Sequence, residues 1–76
     1  MKKIKPLSML SAGESGIVYK IIAGRDLTLR LVELGITPGV PIKVIHNNSG
    51  LTLLSIRGSR IAIGNGIAMK ILVEVS

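Results

Sequence analysis

At 76 residues the chain has room for one domain, and without cysteine it has neither a disulfide nor a thiolate-bound metal to hold it. So short a domain buries only roughly 60% of the surface its unfolded chain exposes, so stability must come from a dense core, which 47% hydrophobic residues and a mean hydropathy of +0.57 can supply. A net charge of +6 and a pI of about 10.4 point to an acidic partner (nucleic acid, an anionic membrane face, an acidic protein patch) or serve only to keep an apolar domain dispersed.

Taken in chain order, the N-terminal MKKIKPLSML is basic and then apolar, but Pro6 and the short run argue against a signal peptide. Leu7–Leu10 is expected as a short edge strand, and Gly13-Glu14-Ser15-Gly16 as a turn. The β-branched and aromatic run Ile17–Ile22 predicts a strand that Ala23-Gly24 ends. Asp26 has the chemistry of a helix N-cap, Leu27–Leu34 is the helix it would open, and Gly35 stands where a left-handed residue ends it. Leu27, Leu31 and Leu34 recur at i, i+4 and i+7 as an apolar stripe. Arg30 and Glu33 fall on the polar side, while Leu29 and Val32 fall outside the stripe and are either covered by a loop or exposed as a contact site.

Thr37-Pro38-Gly39 breaks the chain, and Val40–Ile45 follows as a strand with Pro41 near an edge. Asn47-Asn48-Ser49-Gly50 predicts a hairpin turn into Leu51–Arg57, and Gly58-Ser59 a second tight connection into Arg60–Ile63. After Gly64-Asn65-Gly66, the segment Ile67-Ala68-Met69 suits a single helical turn. In Ile71–Val75, residues Ile71, Val73 and Val75 alternate against Leu72 and Glu74. Five or six short strands with one helix near residues 26–35 amount to a mainly β, partly open small barrel occupying residues 1–76 as one domain.

No run approaches the roughly 20 apolar residues a membrane-spanning helix needs. The longest stretch without a charged residue, Val44–Ile56, is interrupted by His46, Asn47, Asn48, Ser49 and Gly50. The chain is therefore expected to be soluble and cytoplasmic. An enzyme is not expected. The acids are Glu14, Asp26, Glu33 and Glu74, with no pairing that suggests a general acid and base. One histidine and no cysteine leave little for nucleophilic or metal chemistry, so neither a cofactor nor an own metal site is expected. His46 remains open only as a ligand shared between chains. Gly13-x-x-Gly16 and Gly64-x-Gly66 lack the Gly-Lys-Ser/Thr of a phosphate-binding loop. Lys2, Lys3, Lys5, Arg57 and Arg60 offer phosphate contacts, but Tyr19 is the only aromatic, so nucleic-acid binding would be electrostatic and salt-sensitive.

LTLRLVELGITPG (Leu27–Gly39) followed by VPIKVI, together with GSRIAIGNGIAMKILVEV (Gly58–Val75), resembles the ferrous iron transport protein A (FeoA) family. That family has a leucine-rich helix ending in Leu-Gly-Ile/Leu, then Pro-Gly and a strand, and later Gly-x-x-Ile-Ala before Ala-x-x-Ile-x-Val. The matching residues are Leu34-Gly35-Ile36, Pro38-Gly39, Gly58–Ala62 and Ala68–Val73, with Leu7–Leu10 and Gly13–Gly16 matching its opening.

The resemblance implies an SH3-like barrel and a cytoplasmic accessory to a membrane ferrous-iron permease that carries a cytosolic GTPase domain. It also implies kinship with the C-terminal domain of metal-dependent repressors, and a family association with transition-metal binding that this sequence itself does not support. Leu29 and Leu53 stand where such sequences often carry charge, which suggests an apolar partner surface or self-association. The expected contact set is Arg25, Leu29, Arg30, Val32 and Leu53, docking on an acidic cytosolic domain. A basic nucleic-acid-binding barrel and a homo-oligomeric scaffold are the alternatives.

Overall fold

The computed structural model describes residues 2–48 and 50–75. Six strands form one antiparallel sheet: β1 Lys3–Pro6, β2 Ser15–Ile21, β3 Pro41–Asn48, β4 Leu51–Ile56, β5 Ser59–Gly64 and β6 Ile71–Val75. Their order is β1-β6-β2-β3-β4-β5, so β1 and β5 are the two edges and the barrel does not close. Helix α1 spans Arg25–Glu33 between β2 and β3, and α2 is the single turn Asn65–Ala68 between β5 and β6.

One sheet can wrap one core because it is bent. The β2–β6 register shifts between Val18 and Lys20, and the β3–β4 register between Val44 and His46. Each extra residue, Tyr19 and Ile45, adds twist and bends its strand. The inward faces then meet in a single cluster that includes Val18, Val44, Leu54, Ile56, Ile71 and Val73, with partly buried Leu27 and Ile67 packed against it. The alternation expected for the last strand is present: Ile71, Val73 and Val75 are buried, and Leu72 and Glu74 lie between them at the surface.

The first segment departs from expectation. The edge strand is Lys3–Pro6, paired with Val75–Leu72, and Leu7–Met9 is a 3-10 turn. A strand would send Leu7 and Leu10 to opposite faces, whereas residues three apart in a 3-10 turn lie over one another. Here both leucines are fully buried, and Met9 is the residue left exposed.

The glycine expectation also needs one correction. Gly16 is not a turn residue but part of β2, opposite Ile42 of β3. A side chain there would lie 2.7 Å from Val73 Cγ1 and collide with the Glu74 carbonyl. Its absence lets β2 and β6 approach closely.

The connections follow turn chemistry. Thr37–Val40 closes with Val40 N–H donating to Thr37 O, with Pro38 second and Gly39 third at φ 94°, the arrangement of a type II turn. The β4–β5 hairpin turns on Arg57 and Gly58, both at positive φ, as a two-residue type I′ turn requires. At the β3–β4 end, Asn47 and Asn48 are strand residues, and Ser49 of the expected turn lies outside the described residues. Below that hairpin sits a polar knot. Buried Thr52 lies 3.2 Å from Asn47 Oδ1 and 3.0 Å from Asn65 Oδ1, donating its single proton to one at a time. Asn47 Nδ2 donates to the carbonyls of Ser8 and Leu10, and Asn65 Nδ2 to that of Asn48. The knot ties the 3-10 turn, β3, β4 and α2 together.

Candidate functional site

Helix α1 positions the expected contact residues. It begins at Arg25 with Gly24 as its N-cap, and Asp26 makes no side-chain cap hydrogen bond. The N-cap expectation for Asp26 is thus incorrect: the helix starts two residues earlier than predicted, which leaves Asp26 in the first turn, where its charge still suits the helix dipole.

The other end is as the glycine suggested. Gly35 has φ 92°, its N–H donates to Val32 O, and Ile36 N–H donates to Leu31 O. This pair of bonds is the Schellman motif, normally sealed by an apolar contact across it. Leu31 and Ile36 are both buried here. Because Ile36 takes the inward position after the helix, Leu34 is not part of the buried stripe and is 49% exposed.

The face away from Leu27 and Leu31 is open. Arg25, Leu29 and Val32 are spaced i, i+4 and i+7 and share that face. Leu29 is 52% and Val32 44% exposed, so the alternative that a loop covers them does not hold. Arg30 is exposed on the flank. Leu53 belongs to another surface. It points outward from β4, partly covered, between His46 of β3 and Ala62 of β5. The structure therefore brings together Arg25, Leu29, Arg30 and Val32 on α1, adds Leu34 at its end, and sets Leu53 in a sheet row.

Charge is unevenly distributed. Glu14 accepts from Ser11 N–H at 3.0 Å and from Lys5 Nζ at 3.2 Å, and these bonds hold its carboxyl below the usual 4.5. Glu74 pairs with Lys2 at 3.3 Å. Asp26 and Glu33 are on α1. Two of the lysines put forward for phosphate contacts, Lys2 and Lys5, are thus engaged with acids. The cations that do gather are ones the linear sequence did not group. Ser15, Lys43, Ser55 and Arg60 align across β2–β5. A shallow depression of about 400 Å3 is lined by Gly13, Lys43, Val44, Ile45, Ser55 and Arg60. The outward alternation of β3, β4 and β5 carries this signal, once the register is known.

Among the described residues, no cluster of three or more His, Asp or Glu side chains is disposed to hold a metal, and no helix is long and apolar enough to cross a membrane. His46 is exposed at the bulge of β3, opposite Leu53. The described residues thus form a small open barrel whose exposed apolar and cationic side chains stand on its outer wall.

Comparison with known proteins shows the family. The FeoA domain family model matches residues 5–75, and the chain belongs to that family. It is 51% identical over 69 residues to the Methanocaldococcus jannaschii protein named "Putative Fe(2+) transport protein A", covering 91% of this chain and 84% of the relative. A crystal structure described as an iron uptake regulatory protein (FeoA) superposes with a TM-score of 0.90 at 36% identity, over 96% of this chain and all of that one. A manganese-dependent transcriptional repressor gives the same TM-score at 19% identity, with the whole of this chain matching 44% of the repressor. That likeness is one of fold alone.

Proposed function

We propose that the protein is a cytoplasmic accessory of ferrous iron uptake that works by contact, docking the exposed face of α1 on the cytosolic GTPase domain of a membrane ferrous-iron permease. Family membership supports the iron-uptake setting. The observation that carries the docking mode is the pair Leu29 and Val32, half-exposed on a helix pinned from behind by Leu31 and Ile36. A rigid helix gives up little conformational freedom on binding, and an apolar centre with Arg25 and Arg30 at its rim matches the make-up of protein interfaces. The rim charges favour an acidic counterpart and speed encounter.

The test is a calorimetric titration against the permease's cytosolic domain at physiological salt, with and without guanine nucleotide. Leu29→Asp and Val32→Asp should each weaken binding by about tenfold or more, since a buried unpaired carboxylate opposes the interface, while thermal unfolding of each variant stays cooperative. Absence of binding by the wild-type chain in every nucleotide state would overturn the proposal.

A further inference from the structure

The two edges of the sheet are treated differently, and the untreated one carries information. An exposed edge is a template for another strand unless it is blunted by charge, proline, a bulge or cover. β1 has Lys3, Lys5 and Pro6 along four residues. β5, Ser-Arg-Ile-Ala-Ile-Gly, has no proline, a single charge, and six consecutive register pairs with β4 without a bulge.

The hydrogen-bonding phase of β5 follows from its last bond. Asn65 N–H donates to Gly50 O at 3.1 Å, in continuation of the Gly64–Leu51 register. Antiparallel pairs alternate between bonded and non-bonded. Ile63, Ile61 and Ser59 therefore bond to β4, and Arg60, Ala62 and Gly64 turn their N–H and C=O groups to the open side. Arg60 and Ala62 are exposed. Their side chains share the outer face with Lys43 and Ser55, and no carboxylate lines the depression there. Lys43 lies two strands from Arg60, about 10 Å at the usual strand spacing, which is within the range over which its charge is felt at moderate salt.

We infer that β5 is an acceptor edge for an extended acidic segment of a partner protein, which adds as a further strand along Arg60–Gly64 and sets carboxylates against Arg60. Backbone bonds to Arg60, Ala62 and Gly64 give the affinity, and the cations of the outer face give the sign selectivity. A second copy of the chain fits the edge less well, because each copy carries +6. The α1 face plays no part in this contact, so the inference stands apart from the docking proposed above.

The probe is a synthetic peptide of about ten residues alternating Glu with Val or Thr, enough to span the strand, titrated into the full chain and followed by amide hydrogen exchange and chemical shifts. The amides of Arg60, Ala62 and Gly64 should gain protection, and those of Lys3 and Lys5 should not. Arg60→Glu should weaken binding by about tenfold or more. Ala62→Pro removes an outward N–H without removing a bond to β4 and should weaken it similarly. Leu29→Asp should bind the peptide as the wild-type chain does. The same peptide N-methylated at alternate residues keeps its charge and loses its ladder; it should bind at least about tenfold more weakly, and this arm needs no variant to fold. Any one of five outcomes overturns the inference: unchanged protection at the three amides, equal binding of the N-methylated peptide, equal binding of a lysine-for-glutamate peptide, the same shifts from a single-stranded oligonucleotide, or concentration-dependent pairing of β5 with itself.

Discussion

β1 and β5 end the same sheet, yet they are held in opposite ways. β1 is a four-residue strand tied in by distant groups: Lys5 to Glu14, neighbouring Lys2 to Glu74, and the 3-10 turn that follows it to Asn47. β5 is a longer strand held by its hairpin with β4 and by Ile63, buried beneath it. A short edge anchored by long-range contacts is protected from pairing but depends on the rest of the barrel. A local hairpin forms from contacts close in sequence and can leave its outer side bare. The difference yields a direct expectation: perturbations near the β2–β6 junction should loosen β1 first and leave the β4–β5 hairpin comparatively intact.

The largest effect should come from Gly16→Ala. The added methyl meets the backbone of Glu74 and the side chain of Val73, and backbone cannot step aside as a flexible side chain can. Overpacking at such a point costs typically 1–3 kcal/mol, and for a domain of this size about 3 kcal/mol lowers Tm by roughly 12–24 °C. Thermal unfolding measures the total, and amide exchange should show β1 and β6 losing protection before β4 and β5. A Tm within a few degrees of the wild type would mean that β6 slides without penalty and that the junction does not anchor β1.

That junction also shows where sequence reasoning reaches and where it stops. Gly35, Gly39 and Gly58 could be read from the chain because their work is local: each takes a positive φ at a turn that its neighbours define. Gly16 looked the same and is different, because what excludes a side chain there is β6, more than fifty residues away. Short strands between regularly spaced turns made the open barrel legible, the family resemblance made it SH3-like, and alternation placed β6.

The helix was legible in type but not in frame. The i, i+4, i+7 pattern runs on through Leu34, but the Schellman turn hands that inward position to Ile36. Burial of both Leu7 and Leu10 requires a 3-10 turn that no residue signals, so the segment reads as a strand. On the candidate site, the α1 residues could be picked out as leftovers of the helical pattern. The row of Lys43, Ser55 and Arg60 could not, since it depends on two strand registers and a bulge.

A smaller effect is expected from Asn47→Ala. It leaves the carbonyls of Ser8 and Leu10 without their donor and removes one acceptor of Thr52. Loss of partly buried bonds of this kind, whose orphaned carbonyls water can reach, is worth about 0.5–1.5 kcal/mol. Urea unfolding should show the loss. The amides between Leu7 and Leu10 should exchange faster while those of β4–β5 change little. Equal loss across both edges would show that the polar knot supports the whole barrel rather than the β1 side of it.

The smallest effect concerns Glu14, whose bonds to Ser11 N–H and Lys5 hold its folded carboxyl below the usual 4.5. A depressed folded value means that the unfolded chain takes up the proton first as pH falls. The stabilisation is complete above about 4.5, fades as pH drops through the folded value, and is gone below it. In Glu14→Gln the amide oxygen can still accept from Ser11 N–H, but the amide NH2 then faces Lys5, so the charge and the Lys5 hydrogen bond are lost together. The stability difference between wild type and variant should therefore be level near neutral pH, shrink on acidification, and diminish with added salt, as expected for a partly exposed pair. Because Lys5 lies in β1 and Glu14 immediately before β2, the accompanying change in amide exchange should be confined to the β1 edge. A difference that persists below the acidic range would mean that the carboxylate shape, not its charge, holds the strand, and β1 would then owe its protection to packing alone.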